Sequence, residues 1–236
     1  MDLRELRQYL EQLSSSLEPE EREVLQARLQ GLVSVFPFSE YEFILMLLRD
    51  RDVISFEDYE KLRDNYVSAN RYLDLFGLAP RVFGQIWGEK HIMDLDSRFR
   101  KPDKSLDPEY DGEYDLWIEG VKVEVKSSRA IHTKQRGSIV SKALRYGGDD
   151  PFWMNFQQLK LDACDVFIFI GVWVDRIIYW VVSNEDAKRN EYLSHQHRGG
   201  IEYQIGITNK NIQEFERFQT SPDQLGDAVL SLTRKG

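Results

Sequence analysis

The spacing of apolar residues changes period about halfway along the chain. Up to about residue 78 the repeats are helical. Residues 1–13 form a charged amphipathic pattern, Pro19 opens a helix that Gly31 can end, and Ser39 with Glu42 makes a capping box. Ser55 with Asp58 repeats that signal before a long helix, which Gly77 stops. A further helix follows Pro80, with Val82, Phe83, Ile86 and Trp87 on one face. Residues 97–112 carry Pro102, Pro108, three aspartates and Gly112, and read as a loop.

From residue 114 the period is two. A hairpin over 114–126 precedes a basic segment that runs to Gly148. A helix is expected over 151–163, then an apolar strand from Cys164 to Gly171 and a second from Arg176 to Val182, joined by a turn at Asp175. Ser183 with Asp186 caps another helix, residues 194–200 form a loop, 201–207 a strand, and two short helices end the chain, the last opening at Ser221-Pro222. Strands mixed with covering helices predict an α/β fold with a mixed central β-sheet flanked by helices. The division expected is a helical subdomain over 1–78, for packing or dimer contact, and an α/β core over 79–236. The two capped helices at 39 and 55 could suggest a DNA-reading helix-turn-helix. The second, however, opens with Glu57 and Asp58, and an acidic first turn repels phosphates.

The hairpin carries the chemistry. A two-residue turn at Glu119-Gly120 pairs Ile118 with Val121, Leu116 with Val123 and Tyr114 with Val125 on an apolar face. The other face then pairs Trp117 with Lys122 and Asp115 with Glu124, and alternation brings Lys126 to the same side. Directly opposed residues have Cβ atoms roughly 4.5–5.5 Å apart, and like charges so placed destabilise a sheet. Lys126 offsets part of that repulsion, and a plain surface charge network is one reading. A second is Mg²⁺, a hard cation that suits two carboxylates, a backbone carbonyl and waters. Such an ion polarises a phosphodiester and acidifies bound water while a nearby lysine orients or deprotonates that water.

Asp115, eight intervening residues and Glu124-Val125-Lys126 resemble the PD-(D/E)XK nuclease motif, type II restriction endonucleases being the nearest members in size and layout. The likeness spans roughly residues 80–182. It departs from the family where Tyr114 stands in place of the motif proline. The resemblance implies a restriction-endonuclease-like core and Mg²⁺-dependent, sequence-specific cleavage of double-stranded DNA. It makes Asp115 and Glu124 metal ligands and Lys126 the residue that assists water. Glu89 is the matching acid from the preceding helix, which the resemblance makes a further metal ligand, and Gln157 the glutamine often found after the motif. It further implies a homodimer in the cytoplasm of a prokaryotic cell. Two other readings are a structure-selective repair or recombination nuclease, and a protein-interaction module without catalysis.

Composition adjusts this picture. A net charge of −9 argues against a nucleic-acid partner, yet between Lys122 and Arg145 seven basic residues stand against one acid, Glu124. Local fields steer phosphates even on an acidic body. Ser127, Arg129, Lys134, Gln135, Arg136 and Lys142 in that segment, and Arg198 in the later loop, are the candidate DNA contacts, Gln and Arg being suited to base edges. His195 and His197 lack a third ligand at metal spacing, and His132 reads as a surface histidine. Cys164, the only cysteine, excludes an internal disulfide, and the N-terminus lacks a signal-peptide core, which points to a reducing compartment. The longest apolar run is far short of the ~20 residues of a membrane span. No GxxxxGK[ST], GxGxxG or GxSxG occurs, so no nucleotide cofactor is expected, and Trp173 and Trp180 read as core.

Overall fold

A computed structural model describes residues 8, 11, 12, 14–24, 45, 46, 48–195 and 202–233. The capping box at Ser39 and most of the first two expected helices lie outside those residues, although 19–24 are helical. The first long helix, α1 (Phe56–Ala69), opens on the expected box: the Ser55 hydroxyl accepts the Asp58 N–H and the Asp58 carboxylate accepts the Ser55 N–H. It ends at Asn70, and a separate short helix, α2 (Asp74–Gly77), follows.

After Pro80 the chain winds as a π-helix over Val82–Gly88 and returns to α-helix in α3 (Glu89–Leu95). The wider turn splits the apolar face expected there. Phe83 is buried, whereas Val82 and Ile86 point to solvent. Phe83, Trp87, His91 and Tyr179 stack in a row, ring centroids 5.1, 4.8 and 5.9 Å apart, and His91 Nε2 and Tyr179 Oη share a 2.6 Å hydrogen bond. Burial holds the His91 imidazole below its ordinary pKa.

The hairpin has the register that its hydrophobic pattern demands. β1 (Leu116–Ile118) and β2 (Val121–Arg129) pair Ile118 with Val121, Trp117 with Lys122 and Leu116 with Val123. Glu119 and Gly120 both have positive φ, 46° and 92°, the conformation of a tight hairpin turn. Tyr114 is a correction. It lies before β1 and packs on the opposite side from Val125, edge-on to Tyr110.

β2 runs parallel to β5 (Val166–Val172), every residue of which is buried. With antiparallel β6 (Ile177–Ser183) and a short β9 (Gln219–Thr220), these strands form a mixed five-stranded sheet in the order β1-β2-β5-β6-β9. One face, carrying Val121, Val123, Val125, Ile168 and Ile170, is covered by α1–α3, the π-helix and α5 (Leu225–Thr233). Leu17, Leu45 and Leu48 join that same apolar cluster. Between β6 and β9, α4 (Asn184–Lys188) starts on the Ser183 hydroxyl, which accepts the Asp186 N–H.

The other face is covered by a second sheet, which corrects the expected helix over 151–163. Those residues contain β4 (Phe152–Leu159), which joins β3 (Ile131–His132), β7 (Leu193–His195) and β8 (Tyr203–Thr208) in the order β3-β4-β8-β7. Phe152, Met154 and Phe156 are buried on alternate positions against Phe167, Phe169 and Trp180, while Trp153 faces out. That period-two burial, in a segment rich in aromatic residues, favours strand over helix. The bound expectation of a mixed central sheet flanked by helices therefore holds, with a second sheet added.

At Gly171 side chains from β4 and β6 pack directly on the main chain of β5. A Cβ there would lie 2.6 Å from Trp180 Cζ3 and 3.1 Å from Met154 Sδ, and both side chains are walled in. Gly171→Ala should cost about 1–3 kcal/mol through overpacking. Urea unfolding should show a lower midpoint at unchanged slope; an unaltered midpoint would mean that the inter-sheet layer is loosely packed.

Candidate functional site

Alternation on β2 sends Val123 and Val125 into the helical face and Glu124 and Lys126 to the face of the second sheet. Ser128 continues the second set, its hydroxyl accepting the N–H of Asn155 on β4 at 2.9 Å. Asp115 sits one residue before β1. Its N–H donates to the Val123 carbonyl at 3.1 Å, and its Oδ2 accepts the Val125 N–H at 2.9 Å. The carboxylate thus continues the ladder past the end of β1 and is held beside Glu124.

Glu124 is 2% exposed. Its Oε1 lies 2.5 Å from Lys126 Nζ, and Lys126 itself keeps a path to solvent. Burial raises the Glu124 pKa most, the Lys126 ammonium lowers it, the Asp115 charge raises it, and Lys160 on the loop after β4 adds a smaller lowering. The upward direction prevails, since a carboxylate removed from water and set beside a second one is penalised as an anion.

Glu89 is buried at the first turn of α3 and forms an ion pair with Lys101. Lys101 Nζ also approaches the Asp115 carbonyl at 3.4 Å. Partial burial holds its ammonium below the ordinary lysine value, with the Asp115 charge acting the other way. Tyr110, whose hydroxyl donates to the Tyr114 carbonyl at 3.5 Å, is raised by burial and then by Asp115, Glu113 and Glu124. Lys101, Tyr110 and Lys160 were not foreseen; each comes from a loop whose course no local pattern specifies.

The expected DNA contacts separate. Lys134, Gln135 and Arg136 are exposed on the loop after β3, where the N–H groups of Lys134 and Gln135 both donate to His132 Nδ1 at 3.0 Å. Lys142 is half-buried in a 3₁₀ turn. Two residues point elsewhere. The Ser127 hydroxyl is buried against the π-helix, where a Cβ on Gly88 would stand 2.4 Å from it. Arg129 is buried: its Nη1 donates to the carbonyls of Leu75, Phe76 and Leu78 at 2.8–3.2 Å, and its guanidinium lies over the Phe83 ring. A guanidinium bonded to the carbonyls at the end of α2 is a structural cap, so Arg129 leaves the set of phosphate contacts. Gln157 lies on strand β4 instead of a helix and is exposed. His195 lies against Tyr203 with the two rings tilted by 37°, and Arg198 and His197 lie outside the described residues. Cys164 is buried, which pushes its thiol pKa up. Among the described residues no helix is long and apolar enough to cross a membrane.

Among the described residues no group of three or more His, Cys, Asp and Glu side chains gathers as a metal cluster. Asp115 and Glu124 nevertheless offer hard oxygen donors side by side, and a buried carboxylate whose anionic form is disfavoured is one that a cation would relieve. The donor set therefore fits a hard divalent ion completed by water. No protein-family model matches the chain, and neither a curated protein nor a solved structure does.

The Glu124 shift has a consequence for stability. Folding lifts its pKa above the ordinary 4.5, so over that interval the folded chain binds more protons than the unfolded one, and stability falls as pH rises. Glu124→Gln removes that loss. In EDTA the variant should melt above wild type at pH 7, with the gap closing as pH falls from the raised Glu124 pKa towards 4.5. A gain on the order of 1 kcal/mol would shift Tm by about 2–4 °C. Equal or lower Tm at pH 7 would show that the Lys126 ion pair outweighs the burial.

Proposed function

We propose that the chain is a Mg²⁺-dependent endonuclease that cuts double-stranded DNA at specific sequences, a type II restriction enzyme with a restriction-endonuclease-like core. The observation that carries this reading is the convergence of Asp115, Glu124 and Lys126 at the end of one hairpin. In this reading Asp115 and Glu124 hold the ion, which when bound supplies Lewis acidity at a phosphate oxygen and acidifies a water. Lys126 Nζ, held by Glu124 and open to solvent on its other side, orients the attacking water. Lys134, Gln135 and Arg136, on an exposed loop, supply phosphate and base-edge contacts. Cleaving both strands at a symmetric site calls for two such sites, hence a homodimer whose two-fold axis coincides with that of the DNA. A cytoplasmic location in a prokaryotic cell accompanies this reading.

The test is digestion of unmethylated plasmid and phage DNA with Mg²⁺. Discrete fragments are expected, abolished by EDTA and reduced at least ~100-fold in Lys126→Ala. Smeared products would replace sequence recognition with structure-directed or non-specific cutting. Intact DNA across several divalent metals and salt concentrations would overturn the nuclease reading.

A further inference from the structure

Each buried carboxylate near the hairpin end has its own lysine. Glu124 has Lys126, and Glu89 has Lys101. The two lysines differ in how they are held. Lys126 is a strand residue beside its partner. Lys101 belongs to the loop after α3, and what fixes it is an isolated antiparallel bridge one residue earlier: Arg100 N–H donates to the Trp117 carbonyl and Trp117 N–H to the Arg100 carbonyl, both at 2.9 Å. That bridge lays the loop along the outer edge of β1. The Lys101 stem therefore runs beside Asp115, and its ammonium reaches the Glu89 carboxylate and the Asp115 carbonyl together. The bridge fixes the main chain beside Lys101, and the exposed side chain is held at its tip by the Glu89 carboxylate and the Asp115 carbonyl.

The location has chemical meaning. Glu89 and the Asp115 main chain are hard oxygen donors next to the Asp115–Glu124 pair, the set on which a second divalent cation would be built. An ammonium already in contact with both neutralises Glu89 and repels an incoming dication at short range. We propose that Lys101 fills the second cation position, so that the site takes a single divalent ion, on Asp115 and Glu124, with Glu89 engaged by Lys101 and not by metal. This rests on the metal-dependent reading above, and it gives Glu89 a role different from the ligand role first assigned to it. Lys101 is a positioning residue: it acts by holding charge between Glu89 and Asp115 and touches no reacting atom.

The experiment counts bound Mn²⁺ per chain by electron paramagnetic resonance of free Mn²⁺ on the purified full chain, without DNA. Wild type should bind one ion. Lys101→Met, which keeps the stem and removes the charge, should bind two, and Lys101→Met/Glu89→Gln should return to one. Lys101→Arg should stay at one. Melting supplies an independent measurement if Lys101→Met is poorly stable: an unpaired buried Glu89 lowers its Tm, and Mn²⁺ should recover more in this variant than it adds to wild type. Glu89→Gln alone should leave wild-type Mn²⁺ affinity unchanged. One ion in both wild type and Lys101→Met would overturn the proposal while leaving the nuclease reading intact. Two ions in wild type, or a marked loss of affinity in Glu89→Gln, would also overturn it. No ion bound by either protein would remove this proposal and the metal-dependent reading together.

Discussion

The parallel pairing of β2 with β5 is the constraint on which the remaining structure depends. Seven consecutive residues of each strand are matched, from Val123 against Val166 to Arg129 against Val172. Parallel strands are normally covered on both faces, and here every residue of β5 is buried. Valine and isoleucine at alternate positions of both strands face the helices, while Phe167 and Phe169 face the second sheet. A slip of β2 by one residue would drive Glu124 and Lys126 into the helical core and turn Val123 and Val125 towards the charged rim. Burying those charges without partners is expensive enough that the register is specified many times over. Hydrophobic burial sets the register of the strand that carries Glu124 and Lys126, and the site residues' own hydrogen bonds and ion pair then orient the side chains.

That arrangement leaves an electrostatic cost where the hairpin ends. Glu124 is nearly inaccessible to water, lies beside Asp115, and has one close cation to offset both penalties. A core built for stability alone would have an apolar residue there, since replacing a buried ion pair by well-packed hydrophobic side chains is often neutral or favourable. The surrounding framework supplies the difference. The Asp115 carboxylate is oriented by a main-chain N–H, and Ser128 on the same strand ties β2 to the second sheet.

Local order made some of this readable from residue types. The hairpin register follows from period two and a Glu-Gly turn, and the Ser55 capping box and the Ser183 N-cap, the latter without the reciprocal bond of a full box, appear where the side-chain spacing puts them. What escaped depends on partners distant in sequence. The strand character of Phe152–Leu159 emerges only when Phe167, Phe169 and Trp180 are there to be covered. Arg129 turns inward because carbonyls more than fifty residues earlier end a short helix beneath it. Lys101 reaches Asp115 through a two-residue bridge that no composition or periodicity announces. Tyr114 leaves the apolar face because the ladder starts two residues later, at Leu116, and an aromatic ring outside a strand is free to choose its side.

The helix that carries Glu89 points the same way. A π-helix is rarely adopted without cause, because its wider turn packs less well than an α-helix. Here it brings Gly88 so close to β2 that any side chain would collide with Ser127, and it leaves the Ser127 hydroxyl buried without a hydrogen-bond partner. Both features cost stability. Their consequence is positional: close approach of the helix to β2 delivers Glu89, the next residue, to the edge where Lys101 and Asp115 meet. A widened helix, an orphaned hydroxyl, a buried acid on α3 and two adjacent carboxylates therefore gather around one end of one hairpin. Selection for stability would remove such features one at a time. In the metal-dependent reading proposed above, a single requirement for acidic groups at that edge accounts for the buried acid on α3 and the two adjacent carboxylates together.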